Sequence, residues 1–310
     1  MEYIEKTLEF PDDYEGRVVA TLIQTEPETP VEGGRAVLYI HGYIDYFFQT
    51  HMAEAFEQAG YRFYAVDLRK CGRSLLPHQH LNYCRDLREY YPEIDASIEA
   101  IRAAGHSGIV LLGHSTGGLV ASLYCAEDGK GGKNRKYIGR LILNSPFLEF
   151  NTSWLTKRVL IPVVGQIGRV FPYAWTKNQL SPGYAASVHR SMKGEWDYDL
   201  AWKPADGVPL YLAWLRAVRK GQLRVKRGLG IRIPVLVMHA GRSSWERKWS
   251  DILMKTDAVL NVADIKKYAS RLAPEVVMAE IRDGMHDLVL SGKAVREKVF
   301  GTMFGWLRGK

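Results

Sequence analysis

Cysteine is scarce. The chain has three, Cys71, Cys84 and Cys125, an odd and scattered set that gives no disulfide framework. Metal-ligand spacing is equally thin, since His78, His80 and Cys84 have no fourth partner at the separations a zinc site uses. No stretch reaches the roughly 18 consecutive apolar residues of a membrane span, and Met1-Glu2-Tyr3-Ile4-Glu5-Lys6 is not a basic-then-apolar leader. A soluble, cytoplasmic protein needing neither metal nor cofactor is the expectation. No nucleic-acid-binding motif is present, and the run Gly129-Lys130-Gly131-Gly132-Lys133-Asn134 has no strand feeding it, so it reads as a solvated loop rather than a phosphate cradle. What the chain does have is apolar bulk: 46% hydrophobic residues in 310, enough for one large core with an inserted element.

Strand patterns near residues 3–9, 17–24, 36–41, 61–66, 109–113, 138–143, 233–239 and 276–281 alternate with helical stretches. This alternation predicts an α/β fold with a mostly parallel eight-stranded sheet covered by helices on both faces. Only Pro11-Asp12-Asp13-Tyr14-Glu15-Gly16 separates the first two strands, too little for a crossover helix, so they should pair as an antiparallel hairpin at one edge.

The most specific motif is Gly113-His114-Ser115-Thr116-Gly117, which follows the apolar strand Ile109-Val110-Leu111-Leu112 and opens a helical stretch. A tight strand-to-helix turn holds a serine hydroxyl in the open, where a base can activate it, so Ser115 is the candidate nucleophile. A second strand, Ala36-Val37-Leu38-Tyr39-Ile40, ends in His41-Gly42-Tyr43. Gly42 lets the backbone pass close to a substrate carbonyl, and the amides of Tyr43 and Thr116 are the candidate oxyanion donors. His41 precedes the serine and is expected to brace this loop by hydrogen bonding rather than to act as base. Of nine histidines the last, His286 in Asp283-Gly284-Met285-His286, follows a late strand and is the candidate base. The acid is less sharply marked, because Glu246, Asp251, Asp257 and Asp264 all compete. Asp257, followed by the small and apolar Ala258-Val259-Leu260, suits a loop turning toward the sheet and is preferred; Asp251 is second, although its surroundings also suit an amphipathic helix with the aspartate in water.

These residues give the chain a family resemblance. His41-Gly42, Asp67-Leu68-Arg69-Lys70-Cys71-Gly72-Arg73-Ser74, Gly113 to Gly118, Thr256-Asp257-Ala258-Val259-Leu260 and Gly284-Met285-His286 together resemble the α/β-hydrolases, within them the group of monoacylglycerol lipases, lysophospholipases and serine aminopeptidases. The resemblance spans nearly the whole chain and implies Ser115 as nucleophile, His286 as base, Asp257 as acid, and the Tyr43 and Thr116 amides as oxyanion hole. Two departures stand out: Lys70 occupies a position where the relatives usually carry glycine, and residues 241–255 look like an insertion ahead of the acid. A serine at the elbow argues against the dehalogenases and epoxide hydrolases, whose nucleophile is an aspartate.

Between residues 147 and 232 the strand pattern stops. The expected organisation is therefore a core of residues 1–146 and 233–310 with a mainly helical cap, 147–232, over the site. The cap is rich in aromatics, too many for so short a segment to bury, so an apolar wall facing the site is expected, with Trp175 and Trp214 alongside His41, Gly42 and His114 as substrate neighbours. It also holds 14 Lys and Arg against 5 Asp and Glu, a net of +9 where the whole chain carries +8, so the cap alone makes the protein basic. Either solubilising charge or transient contact with an anionic membrane surface accounts for this excess. Together these features predict a serine hydrolase of apolar or lipid-like carboxylic esters. Aminopeptidase or other amide hydrolysis, and a non-catalytic receptor on the same fold, are the alternatives.

Overall fold

The computed structural model describes residues 2–25, 33–177, 182–246 and 249–309; Arg247 and Lys248 of the expected insertion lie outside them. Strands β1 (Tyr3–Asp13) and β2 (Gly16–Thr25) form the expected antiparallel hairpin across Tyr14 and Glu15. Strands β3 (Arg35–Ile40), β4 (Tyr61–Asp67), β5 (Gly108–His114), β6 (Ile138–Asn144), β9 (Val235–Ala240) and β10 (Val277–Ile281) complete an eight-stranded sheet of order β1-β2-β4-β3-β5-β6-β9-β10. β2 runs antiparallel to β4, and from β4 to β10 every pairing is parallel.

Strand periodicity sorts the core into two layers. On β3, Ala36, Leu38 and Ile40 face one layer and Val37 and Tyr39 the other; on β5, Ile109 and Leu111 divide from Val110 and Leu112 in the same way. The first layer is closed by α2 (Tyr91–Ala103), α3 (Thr116–Tyr124) and α6 (Leu212–Arg227), with part of α7 (Val262–Ala269); the second is closed by α1 (Thr50–Gln58) and α8 (Lys293–Arg308). Each large side chain so buried contributes about 1.5–3 kcal/mol relative to exposure. No helix among the described residues is long and apolar enough to cross a membrane.

Between β6 and β9 the chain forms α4 (Ile161–Val170), α5 (Pro182–Val188) and a two-stranded ribbon of β7 (Trp175–Thr176) with β8 (Leu210–Tyr211) before entering α6. Although α6 falls within 147–232, its Ala213, Trp214, Ala217, Val218 and Val225 are built into the core layer that holds α3. Ahead of α6, the elements α4, α5 and β7 stand apart from that layer, whereas β8 joins it through Tyr211. The aromatic and apolar residues of this segment divide accordingly: Trp154, Leu155, Leu160, Phe171 and Trp175 face outward, while Tyr184, Tyr198 and Trp214 turn toward a cavity above the carboxyl ends of the strands.

Lys70 supplies a further local feature. Its φ of +62° is left-handed, yet the side chain is fully buried, with Nζ 2.8 Å from both Asp13 and Glu15 and facing the rings of Tyr14 and Tyr83. A lysine holds this conformation because the hairpin turn supplies two carboxylates to its ammonium.

Candidate active site

The turn at Ser115 is forced by sterics. A Cβ on Gly117 would overlap the carbonyl oxygens of His41 and Ile40, and one on Gly113 would meet the Gly117 backbone, so neither neighbour of the serine turn can be larger. Ser115 itself has φ +51°, the strained conformation that projects its side chain from the β5–α3 turn. The Ser115 N–H donates to the Asn144 carbonyl at 3.0 Å, and its own carbonyl accepts from the Phe147 N–H at 2.9 Å, tying the turn to the end of β6.

Ser115 Oγ lies 3.0 Å from His286 Nε2, and His286 Nδ1 lies 3.0 Å from Asp257 Oδ2. All three are buried, Asp257 completely. The other oxygen of Asp257 accepts the N–H groups of Val259 at 2.9 Å and Leu260 at 2.7 Å, which fixes the carboxylate in one orientation. The competing acids are engaged differently: Asp251 is exposed at the start of a short 3₁₀ turn, Asp264 pairs with Lys157 at 2.7 Å, and Glu246 is exposed at the cavity rim. The arrangement can pass a proton from Ser115 to His286 while Asp257 holds the imidazole with its Nε2 free to accept.

The loop after β3 passes directly over the serine, since a Cβ on Gly42 would come within 3.3 Å of Ser115 Cβ and 3.2 Å of the His114 ring. The N–H of Thr116 belongs to the first residue of α3, where no intrahelical acceptor exists. Tyr43 and Thr116 both line the cavity beside Ser115. His41 is turned away from it: Nδ1 donates to the Gly42 carbonyl at 2.8 Å and Nε2 accepts from the Leu68 N–H at 3.1 Å, so it braces the loop and is not among the lining residues. Gly42, His114 and Trp214 do line the cavity, and the Trp214 ring lies 4.0 Å from that of Tyr43. Trp175, expected as a substrate neighbour, is 61% exposed and outside the cavity, because the β7–β8 ribbon turns it to the surface.

The cavity encloses about 500 Å³. Phe147, Phe150, Leu210, Trp214, Val259 and Leu260 supply apolar wall, and the expected His114 is joined there by the polar groups of Asp45, Tyr184, Tyr198 and Lys203, which composition does not single out. Tyr184 stands edge-on to the His286 ring at 5.6 Å, and its Oη accepts from the Asp287 N–H at 3.3 Å. Burial pushes the His114 imidazole below its ordinary range. The ligand atoms of Asp45, His114 and Asp287 lie within 4.8 Å of one another, the arrangement among the described residues nearest to a cation site. Asp45 already pairs with Lys203 at 2.6 Å, and Asp287 accepts from Asn144 at 2.7 Å and Gln49 at 3.2 Å, so their charge is engaged by the protein's own donors.

Known proteins are similar to this chain in sequence and architecture. A monoacylglycerol lipase of Mycolicibacterium smegmatis is 25% identical over 289 residues, covering 91% of this chain and 90% of its own. A soluble variant of the Saccharomyces cerevisiae monoglyceride lipase, solved with a substrate analogue, superposes with a TM-score of 0.69 at 16% identity over 98% of this chain and 95% of that one. A thermostable carboxyl esterase of Bacillus coagulans, solved with glycerol, superposes with a TM-score of 0.67 at 15% identity over 100% and 99% of the two chains. The family described as serine aminopeptidase S33 matches residues 33–244, more than half the chain and inclusive of the β3 loop and the serine turn. The protein therefore belongs to the serine aminopeptidase S33 family and has the α/β-hydrolase fold.

Proposed function

We propose that the protein is a serine hydrolase of carboxylic esters with an apolar, lipid-like part, working through an acyl-enzyme on Ser115. The observation that carries this reading is the unbroken Ser115–His286–Asp257 hydrogen-bond chain at the floor of a largely apolar cavity. Ser115 Oγ attacks the ester carbonyl as its proton passes to His286 Nε2, and Asp257 stabilises the imidazolium through Nδ1–H. The negative charge on the carbonyl oxygen is held by the Tyr43 and Thr116 amides. His286 then protonates the leaving alkoxide; water, deprotonated by the same nitrogen, attacks the acyl carbonyl and releases the acid and Ser115.

The chain segment ahead of α6 acts as the cap of this site. Its outward face combines Trp154, Leu155, Val163, Val170 and Phe171 with the exposed Arg158 and Arg169, a composition suited to transient contact with an anionic bilayer from which apolar esters are drawn. Sedimentation with vesicles of anionic lipid, compared with neutral ones, tests that contact.

A second reading, hydrolysis of amides from an amino terminus, is favoured by one observation: Glu246 lies at the cavity rim as a carboxylate able to meet an ammonium. Labelling with a fluorophosphonate and mapping the adduct, beside turnover of p-nitrophenyl esters of two to sixteen carbons and of aminoacyl p-nitroanilides, separates the readings. An adduct on Ser115 with ester turnover supports the proposal. Anilide turnover without ester turnover replaces it with the peptidase, and folded protein with neither adduct nor turnover replaces it with a receptor.

A further inference from the structure

The segment ahead of α6 meets the loop that carries Tyr43, and the first turn of α1 that follows it, along one strip. Trp196 stacks on His51 at 4.2 Å between ring centroids, Tyr198 packs on Phe48 at 4.9 Å, and Trp202 stands edge-on to Tyr46 at 5.1 Å. The Asp199 N–H donates to Tyr46 Oη at 2.7 Å. At the end of the strip Lys203 reaches Asp45 Oδ1 at 2.6 Å, its ammonium 5.2 Å from the Phe48 ring and 5.5 Å from the Tyr198 ring. Only 13% of the Lys203 side chain and 2% of Asp45 are exposed, so this is a desolvated pair, and both residues line the cavity.

Asp45 lies two residues beyond Tyr43. Between them Ile44 has φ +51°, a conformation a β-branched residue holds only when its surroundings impose it. Three contacts impose it here. The Ile44 N–H donates to Asn82 Oδ1 at 2.9 Å, the Gly42 N–H is directed at Asp45 Oδ2 at 3.4 Å, and Lys203 holds the other oxygen of the same carboxylate. Burial alone would raise the Asp45 carboxyl; the Lys203 ammonium, with smaller contributions from His114 and His41, overrides this and holds the group below its ordinary range, so the brace is ionised.

A carboxylate here has a drawback as well as a use. It fixes the Gly42–Tyr43 turn, yet it is a buried negative charge two residues from the Tyr43 amide that receives the oxyanion. We infer that Lys203 is a positioning residue of the reaction: by neutralising Asp45 it lets the carboxylate brace the Tyr43 amide without repelling the charge that develops on the substrate oxygen. The inference rests on the serine-ester reading above. The oxyanion exists in the transition state and not in the bound ester, so loss of Lys203 falls on kcat rather than KM. It also makes catalysis depend on the 196–203 strip being seated on the loop.

The test compares kcat and KM for one p-nitrophenyl ester across wild type, Lys203→Met, Lys203→Arg and the double variant Asp45→Asn/Lys203→Met, with Ser115→Ala alongside. Lys203→Met should lower kcat by about 10- to 100-fold with KM within about 3-fold, the scale of an unpaired charge a few ångströms from another. Lys203→Arg, which keeps the charge, should retain kcat within about 5-fold, and the double variant, with both charges gone, should regain most of the loss. Unchanged kcat in Lys203→Met, a loss confined to KM, or a double variant no faster than Lys203→Met would overturn the inference while leaving Ser115-dependent turnover intact. If Lys203→Met does not fold, the double variant decides: folded with kcat within about 10-fold of wild type it supports the inference, and folded but slower it refutes it. Turnover that survives Ser115→Ala removes the serine-ester reading itself.

Discussion

Asp257→Asn is the substitution whose outcome the geometry constrains most tightly. One carboxylate oxygen accepts two backbone N–H groups, from Val259 at 2.9 Å and Leu260 at 2.7 Å, and the other faces His286 Nδ1 at 3.0 Å. An asparagine must keep its carbonyl oxygen on the two N–H donors, since turning its NH₂ toward them would set donor against donor. The NH₂ is then aimed at His286 Nδ1 and donates to it, which places the ring proton on Nε2. In that tautomer His286 presents a hydrogen to Ser115 Oγ and cannot accept one. Loss of the anion also removes stabilisation of the imidazolium. The expected fall in kcat is about 10,000-fold, equivalent to about 5 kcal/mol of barrier, with KM little changed. The fold should survive because both backbone donors stay satisfied, whereas Asp257→Ala orphans them at a further cost of about 1–3 kcal/mol in stability. Steady-state turnover of a p-nitrophenyl ester with thermal unfolding of both variants checks this. Asp257→Asn within 10-fold of wild type, or Asp251→Asn crippling turnover instead, refutes the reasoning.

Lys70→Gly relieves a left-handed backbone but leaves Asp13 and Glu15 without the ammonium that lies 2.8 Å from each, so it should destabilise by about 3 kcal/mol in urea unfolding even though glycine suits the φ better. Gly117→Ala should cost about 3 kcal/mol or abolish soluble expression, because its Cβ overlaps two carbonyl oxygens that neither strand nor loop can withdraw; differential scanning calorimetry reads it. Burial lowers the imidazoles of His51, His106, His114 and His239 below the ordinary 6.5, so as pH falls below that value the unfolded chain takes up protons that the folded chain refuses. Stability should therefore decline on acidification from pH 7 toward 5, by up to about 1.4 kcal/mol per pH unit for each buried ring, the four histidines outweighing the opposite contribution of Glu93, whose carboxyl burial raises to about 7; a urea midpoint that is flat or rising would show that the rings charge freely in the fold.

The parts of this molecule that are legible in its sequence are those in which a short contiguous stretch obeys one steric or periodic rule. The serine turn is one, because strand, Gly113, Ser115, Gly117 and helix are consecutive and each restricts the next. The eight strands are another, because an apolar run bounded by turn residues carries its own evidence. Contacts between distant residues are legible only where chemistry restricts the partner. Ser115 and His286 are 171 positions apart, yet a hydroxyl nucleophile calls for a base later in the chain, and few histidines follow a strand end. Asp257 and Asp251 are not separable in this way, since both are acids after the same strand, and only the fold, which buries Asp257 against His286 and the Val259 and Leu260 amides and leaves Asp251 exposed, distinguishes them. Trp175 and Trp214 show the same limit for apolar residues: composition puts both in the segment over the site, and the β7–β8 ribbon turns one outward while α6 turns the other inward. Lys203 and Asp45, 158 positions apart, illustrate why the remainder is hidden. A lysine has no required partner, and in a segment carrying fourteen Lys and Arg nothing local separates this one from those that face water. Its distinction arises only when folding buries Asp45, because the cost of an unpaired carboxylate in the cavity wall then selects a cation that can reach it.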